Sequence, residues 1–165
     1  MTKKELKELI KECIIESLVP QSIPSNIDVE TFIEEYIKKG SKGDLDLRKM
    51  QLTELPSILK NVEVGRNFYC SYNNLTSLTN SPRYIRGDFY CSYNHFTSLV
   101  GAPKYVEGNF YCNHTKLQSL DGAPKYVGGD FICHNNPVKF TDQQVRAVCE
   151  VGGRVKGAKG GPLKI

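Results

Sequence analysis

No apolar run in the sequence approaches the roughly 20 residues of a membrane-spanning helix, and the opening residues Met1, Thr2, Lys3, Lys4 and Glu5 contain no secretory apolar stretch. A cytoplasmic chain is expected. The nucleophile, zinc and phosphate motifs G-x-S-x-G, H-E-x-x-H and the P-loop are also missing, so nothing points to catalysis. Charge of one sign is scarce: the net charge is +4, and after Thr141 the bases Arg146, Arg154, Lys156, Lys159 and Lys164 face only Asp142 and Glu150. The rest of the chain is nearly neutral, which argues against a dedicated phosphate-binding surface. What is present is enough apolar material to fold: 39% of the 165 residues are hydrophobic, the size and composition of one compact domain.

Internal periodicity organises that material. Phe68-Tyr69-Cys70 returns as Phe89-Tyr90-Cys91, Phe110-Tyr111-Cys112 and Phe131-Ile132-Cys133, each 21 residues after the last. Three full units follow in register: SYNNLTSLTNSPRYIRGDFYC, SYNHFTSLVGAPKYVEGNFYC and NHTKLQSLDGAPKYVGGDFIC. Apolar and polar residues alternate around each Phe and Cys, as in a short strand with one buried face. Equal spacing then stacks the strands into a parallel sheet. The segments Asn80 to Pro82, Gly101 to Pro103 and Gly122 to Pro124 are too short and Pro/Gly-rich for helices, so the return wall is expected to run extended or as a 3₁₀ turn. Gly87, Gly108 and Gly129, two residues before each Phe, are expected where the backbone needs a positive φ.

Read as F-x-C-x-x-N-x-L-x-x-L, the unit resembles the leucine-rich repeat of short bacterial and phage type. Asn73, Asn94 and Asn136 stand at the family's asparagine, Leu75, Phe96, Leu117 and Val138 at the apolar position after it, and Leu78, Leu99 and Leu120 close the units. An earlier turn from Leu45 to Pro56 fits as well, at a longer step. Thr115 and Met50 replace the asparagine in two turns, and Met50 cannot hydrogen-bond the loop. The resemblance implies an α+β repeat solenoid with a leucine-rich-repeat-like parallel β-sheet of about five turns over residues 44–140, and a recognition surface on its concave sheet.

A solenoid needs caps at its ends. Residues 1–43 read as an N-terminal helical hairpin, with helices expected over 3–18, opened by the Thr2/Glu5 capping box, and over 28–39, opened by Asp28 and stopped by Gly40. The layout is similar to the helical hairpin preceding short-repeat domains in some bacterial effectors. Thr141 and Gln144 form a capping box for a C-terminal capping helix within 141–152, expected over 141–151, and residues 153–165 read as a flexible basic tail.

Six cysteines raise the question of metal or disulfides. Cys70, Cys91, Cys112 and Cys133 in one column would lie about 4.8 Å apart with side chains parallel, a geometry that neither encloses a zinc ion nor suits disulfides. A column of small buried residues is expected, and no metal or cofactor. Cys13 and Cys149 fall on apolar helix faces, and His95, His114 and His134 do not share one repeat position.

The outward sheet face holds the candidate partner-binding residues. Asn67, Asp88, Asn109 and Asp130 are expected in one exposed column, Tyr69, Tyr90, Tyr111 and Ile132 in the next, and Ser71, Ser92, Asn113 and His134 in a third, extended by Asp44, Asp46 and Arg48. Tyrosines flanked by carboxylates and amides suit a protein-binding face, although stacked tyrosines also stabilise a sheet. On the return wall Arg83, Lys104 and Lys125, each followed by a tyrosine, form a second candidate row. The expected function is a non-enzymatic protein-binding module, an inhibitor or adaptor of bacterial or phage effector type that occupies a partner protein. The alternative is a small-ligand or single-stranded nucleic-acid binder using the basic return wall and tail. The partner's identity and the oligomeric state stay open.

Overall fold

The 21-residue interval is realised as strand register. The computed structural model describes residues 28–157, which form a parallel β-solenoid of about five turns. The chain enters through helix α1 (Val29–Lys38), whose N-cap Asp28 accepts the Thr31 N–H. The expected helix over 3–18 lies outside the described residues.

Each turn contributes two very short strands. The front sheet is built from β1 (Leu45–Asp46), β3 (Phe68–Tyr69), β5 (Phe89–Tyr90), β7 (Phe110–Tyr111), β9 (Phe131–Ile132) and β11 (Val155–Lys156), neighbours in that order and all parallel. The back sheet comprises β2 (Glu63–Val64), β4 (Tyr84–Ile85), β6 (Tyr105–Val106), β8 (Tyr126–Val127) and β10 (Glu150–Val151), also parallel. The return wall therefore does run extended, but as a regular second sheet whose inward column is Val64, Ile85, Val106, Val127 and Val151. Only the first return segment carries a 3₁₀ turn, Ser57–Asn61.

Between the sheets lies a core of repeated columns. Phe68, Phe89, Phe110 and Phe131 are wholly buried, with successive ring centroids 5.4, 5.4 and 4.9 Å apart. Leu47, Cys70, Cys91, Cys112 and Cys133 form the next buried column, and Leu75, Phe96 and Leu117 another. Burial pushes the Cys70, Cys91 and Cys112 thiols far up, and Cys133 up to about 12.

The asparagine position ties each turn to the one before. Asn73 Oδ1 accepts the Met50 and Leu52 N–H groups, both at 3.0 Å, while its Nδ2 donates to the Leu47 and Cys70 carbonyls. Asn94 likewise accepts from Leu75 and donates to the Cys70 and Cys91 carbonyls. Met50 consequently costs the first loop nothing, because that loop is held by Asn73 of the next turn, and Met50 packs on the core instead. The Thr115 hydroxyl lies 2.7 Å from Asn136 Oδ1 and 3.3 Å from the Cys112 carbonyl.

Three expectations are corrected. The helix after Thr141 is only α2 (Asp142–Arg146), because Glu150–Val151 leave it to pair with β8. The boundary at residue 153 falls inside a further half-turn: Val155–Lys156 pair with β9, so residues 155–156 belong to the sheet, and the described residues end at Gly157. Gly87, Gly108 and Gly129 do not have positive φ; among the described glycines, Gly40, Gly101 and Gly122 do. A Cβ at Gly87, Gly108 or Gly129 would instead overlap the side-chain oxygen of Asn67, Asp88 or Asn109 from the preceding turn.

Candidate functional site

The front sheet gathers the residues singled out from the sequence, and it ties most of them to one another. In the first column each side chain reaches one turn ahead. Asp44 Oδ1 accepts the Asn67 N–H at 3.0 Å, Asn67 that of Asp88 at 2.8 Å, Asp88 that of Asn109 at 2.6 Å, Asn109 that of Asp130 at 2.7 Å, and Asp130 that of Arg154 at 2.8 Å. The column is a ladder of side-chain acceptors that continues the sheet's hydrogen bonding past the strand ends. From Asn67 onward it is half-buried rather than exposed. The bond from the Arg154 N–H, with the Arg154 guanidinium 3.2 Å and the Lys156 ammonium 3.4 Å away, holds the Asp130 carboxyl below the usual carboxylate range.

In the second column the tyrosine rings stack flat on one another. Tyr69 and Tyr90 lie 4.7 Å apart at 10°, Tyr90 and Tyr111 4.4 Å apart at 7°. The Arg48 guanidinium, paired through two bonds of 2.9 and 2.6 Å with Asp46, covers the outer face of Tyr69 at 4.4 Å. Buried Ile132 continues the column beyond Tyr111. The Tyr90 hydroxyl donates to Asp88 Oδ2 at 2.8 Å, and Asn67 Nδ2 donates to the Tyr69 hydroxyl at 3.0 Å. Burial, then the neighbouring Tyr111 and Asp88, push the Tyr90 hydroxyl far above the ordinary tyrosine range. Ring faces are thus occupied by other rings, and what points to solvent is a row of edges.

The third column was expected to be exposed and is not. Ser71 and Ser92 are each 6% exposed and Asn113 4%, with Ser92 Oγ donating to Asn113 Oδ1 at 2.7 Å; only His134 remains half-open. Beside it runs a fourth column that alternation along the strand does not reveal. Lys49, Tyr72, Tyr93, His114 and Asn135, one per turn, all have left-handed backbone with φ between 52° and 59°. Tyr72, Tyr93, His114 and Asn135 each follow directly on a residue of the third column, so the two columns run side by side. Tyr72 and Tyr93 stack at 4.4 Å, Tyr93 and His114 at 4.5 Å, and His134 meets His114 edge-on at 5.8 Å. The Lys49 ammonium lies 5.5 Å from the Tyr72 ring. Two aromatic rows therefore flank a floor of small polar residues, and each row starts on a cation. The signal was in the sequence, since Tyr72, Tyr93 and His114 recur at 21-residue steps.

The back sheet is dressed differently. Its outward column is Glu63, Tyr84, Tyr105, Tyr126 and Glu150, beside the exposed row Arg83, Lys104 and Lys125. Tyr84 and Tyr105 are 6.0 Å apart and tilted by 36°, and Tyr105 is 41% exposed. The Tyr84 hydroxyl is bonded to Glu107, and Arg86 pairs with Glu63 at 3.7 Å.

Among the described residues no group of three or more His, Cys, Asp or Glu could hold a metal ion, and no helix is long and apolar enough to cross a membrane. One cavity of about 700 Å³ lies between the end of α1 and the start of the back sheet, lined by Ile37, Lys42, Ile58, Val62, Glu63 and Arg86 among others. No model of a known protein family matches the chain, and neither curated proteins nor solved structures yield a match.

Proposed function

We propose that the protein is a solenoid of the leucine-rich-repeat kind that works as a non-enzymatic protein-binding module, an inhibitor or adaptor that occupies a partner through its front face. One observation carries this reading: five successive turns hold a non-glycine residue in left-handed backbone at the same position, and three of the five are Tyr72, Tyr93 and His114. Each such residue costs on the order of 1 kcal/mol where glycine or asparagine would be at ease. Paying that at Lys49, Tyr72, Tyr93 and His114 sets a second row, three of these four members aromatic, parallel to Tyr69, Tyr90 and Tyr111. Stacked rings lose little further freedom on binding, so a pre-ordered double row offers area and hydroxyls at low entropic cost.

The flat stacking also favours a protein over a nucleic acid on this face. Bases bind single-strand proteins by lying on exposed aromatic faces, and the stacked faces here are covered by neighbouring rings and by Arg48.

The test is capture from bacterial lysate by the immobilised chain, with and without nuclease, repeated with Tyr69→Phe/Tyr90→Phe and with Tyr93→Ala. A stoichiometric protein, resistant to nuclease, released by these changes and retained by Lys116→Glu on the loop edge, supports the reading. Recovery that vanishes with nuclease, or that ignores all front-face changes in variants with native circular dichroism, overturns it.

A further inference from the structure

The arginines of the described residues divide unevenly. Arg48, Arg66, Arg86, Arg146 and Arg154 each meet a carboxylate, and Arg146 also caps the Val151 and Gly153 carbonyls. Arg83 has no such partner among the described residues, and neither do Lys104 and Lys125 in the same column. These three are in direct cross-strand register: the Lys104 N–H bonds the Arg83 carbonyl at 3.1 Å and the Lys125 N–H bonds the Lys104 carbonyl at 2.9 Å. Like charges stacked one strand apart, about 4.8 Å, repel and destabilise a sheet. A repeat that keeps three of them unpaired and exposed, beside a row of tyrosines whose rings are not closed into a flat stack, has an unfilled electrostatic role.

We propose that this back-sheet row is a second docking surface, and that it takes an acidic helix of a partner protein. Carboxylates at positions i, i+3 and i+7 of a helix rise by about 4.5 and 10.5 Å along its axis. The three bases stand at about 4.8 and 9.6 Å, a match within about 1 Å at each step. Alternate residues of an extended chain advance by about 6.7 Å and fall out of step by the third charge. The neighbouring Tyr84, Tyr105 and Tyr126 receive the apolar residues bordering the helix's acidic stripe. Glu63 and Glu150 end the tyrosine column and Glu107 borders Tyr105, so the positive field is confined to a strip three residues long. That strip suits a short acidic stripe and gives a phosphate chain few contacts. The surface lies on the sheet opposite the face assigned above and stands or falls independently of it.

The probe is a short alanine-rich helical peptide with Glu at i, i+3 and i+7, titrated by fluorescence anisotropy into the full chain. Its Gln counterpart and oligo(dT) serve as comparisons. Binding is expected for the Glu peptide alone, weakening with salt, and each of Arg83→Glu and Lys104→Glu should weaken it about tenfold. The thermal midpoint should stay constant or rise in these variants, because reversal relieves repulsion and breaks no ion pair. Tighter binding of oligo(dT), equal binding of the Gln peptide, or indifference to both reversals overturns the proposal. So does binding that appears only in full-length Glu5→Lys/Glu8→Lys/Glu12→Lys, since the row would then belong to this chain's own N-terminal segment, which carries the same i, i+3, i+7 spacing.

Discussion

The two sheets are made by the same repeat, turn for turn, yet use their outward side chains in opposite ways. On the front sheet the Asx column bonds the next turn's backbone, the tyrosines stack at 4.4 to 4.7 Å, and the serines are buried beneath two ring rows. On the back sheet the tyrosines are splayed, one of them 41% exposed, and the adjacent bases meet no carboxylate among the described residues. A solenoid repeat that must pair with itself has to be stable as a stack. The front sheet carries that self-pairing in its side chains, whereas the back sheet relies on its inward valines and isoleucine. Substitutions that break the stack should therefore cost stability along with any binding on the front, and should alter binding with little loss of stability on the back.

The sharpest way to break this contrast is to cut a front-side ladder. Asn94→Ala removes the acceptor of the Leu75 N–H and the donor of the Cys70 and Cys91 carbonyls, all inside the core. The Cys70 carbonyl keeps its bond from Asn73, so two buried backbone groups are left unpaired, which should cost about 2 to 3 kcal/mol in urea unfolding. A loss below about 1 kcal/mol would mean that the turns are held by the strands alone. Gly108→Ala comes next, at about 2 kcal/mol, because its Cβ collides with Asp88 Oδ1 and displaces the Asn109 N–H bond. Asp88→Lys should destabilise through the same lost bond, so a binding defect in that variant says nothing until folding is checked.

Tyr90→Ala sharpens the comparison at a position where binding and stability overlap. Tyr90 has a ring on each face and a hydrogen-bonded hydroxyl, and its truncation should cost about 2 kcal/mol. The sequence alone allows Tyr90→Ala to weaken binding without touching stability; the flat stack couples the two, which is why Phe substitutions are the cleaner probes.

The buried thiols predict an alkaline limb. Their folded pKa values are raised by burial, Cys133 to about 12 and Cys149 to about 11, whereas unfolded cysteine ionises near about 8.5. The unfolded chain therefore releases protons first. Stability is fully present below about pH 8.5 and falls above it, by about 1.4 kcal/mol per pH unit for each thiol still protonated in the fold. Removing one wholly buried thiol with Cys91→Ala should reduce the slope of unfolding free energy between pH 9 and 10 by about that amount. An unchanged slope would place the alkaline sensitivity on the tyrosines instead.

Much of this architecture is legible in the sequence because strict repetition converts spacing into register. The Phe and Cys columns, the parallel pairing and the asparagine loop ties follow from an interval of 21. What escaped has one physical origin: alternation says which way a strand residue points, and it stops applying where the strand stops. The strands are two residues long, so Ser71 and Tyr72 lie beyond them, where Tyr72 has left-handed backbone and the serine is buried. The glycines before each Phe were assigned to backbone conformation when the cause is a neighbour's side chain, something a single turn cannot reveal. The last half-turn was hidden by its 24-residue step from Val127 to Val151, although Val151-Gly152-Gly153 copies Val127-Gly128-Gly129.

The smallest expected effect is the most discriminating. Tyr105 stands in the back sheet at the position that matches Tyr84 and Tyr126, with only a tilted neighbour at 6.0 Å. Tyr105→Ala removes neither a flat stack nor a core contact, so it should change unfolding free energy by less than about 0.5 kcal/mol, as surface substitutions do. Set against about 2 kcal/mol at Tyr90, a residue of the same type on the opposite sheet, the difference measures how unequally the repeat divides its stabilising contacts between the two faces. Equal losses at Tyr90 and Tyr105 would show that the splayed row is structural too. A near-zero loss at Tyr105, joined to weaker capture of the acidic helical peptide, would separate a side chain kept for recognition from one kept for the stack.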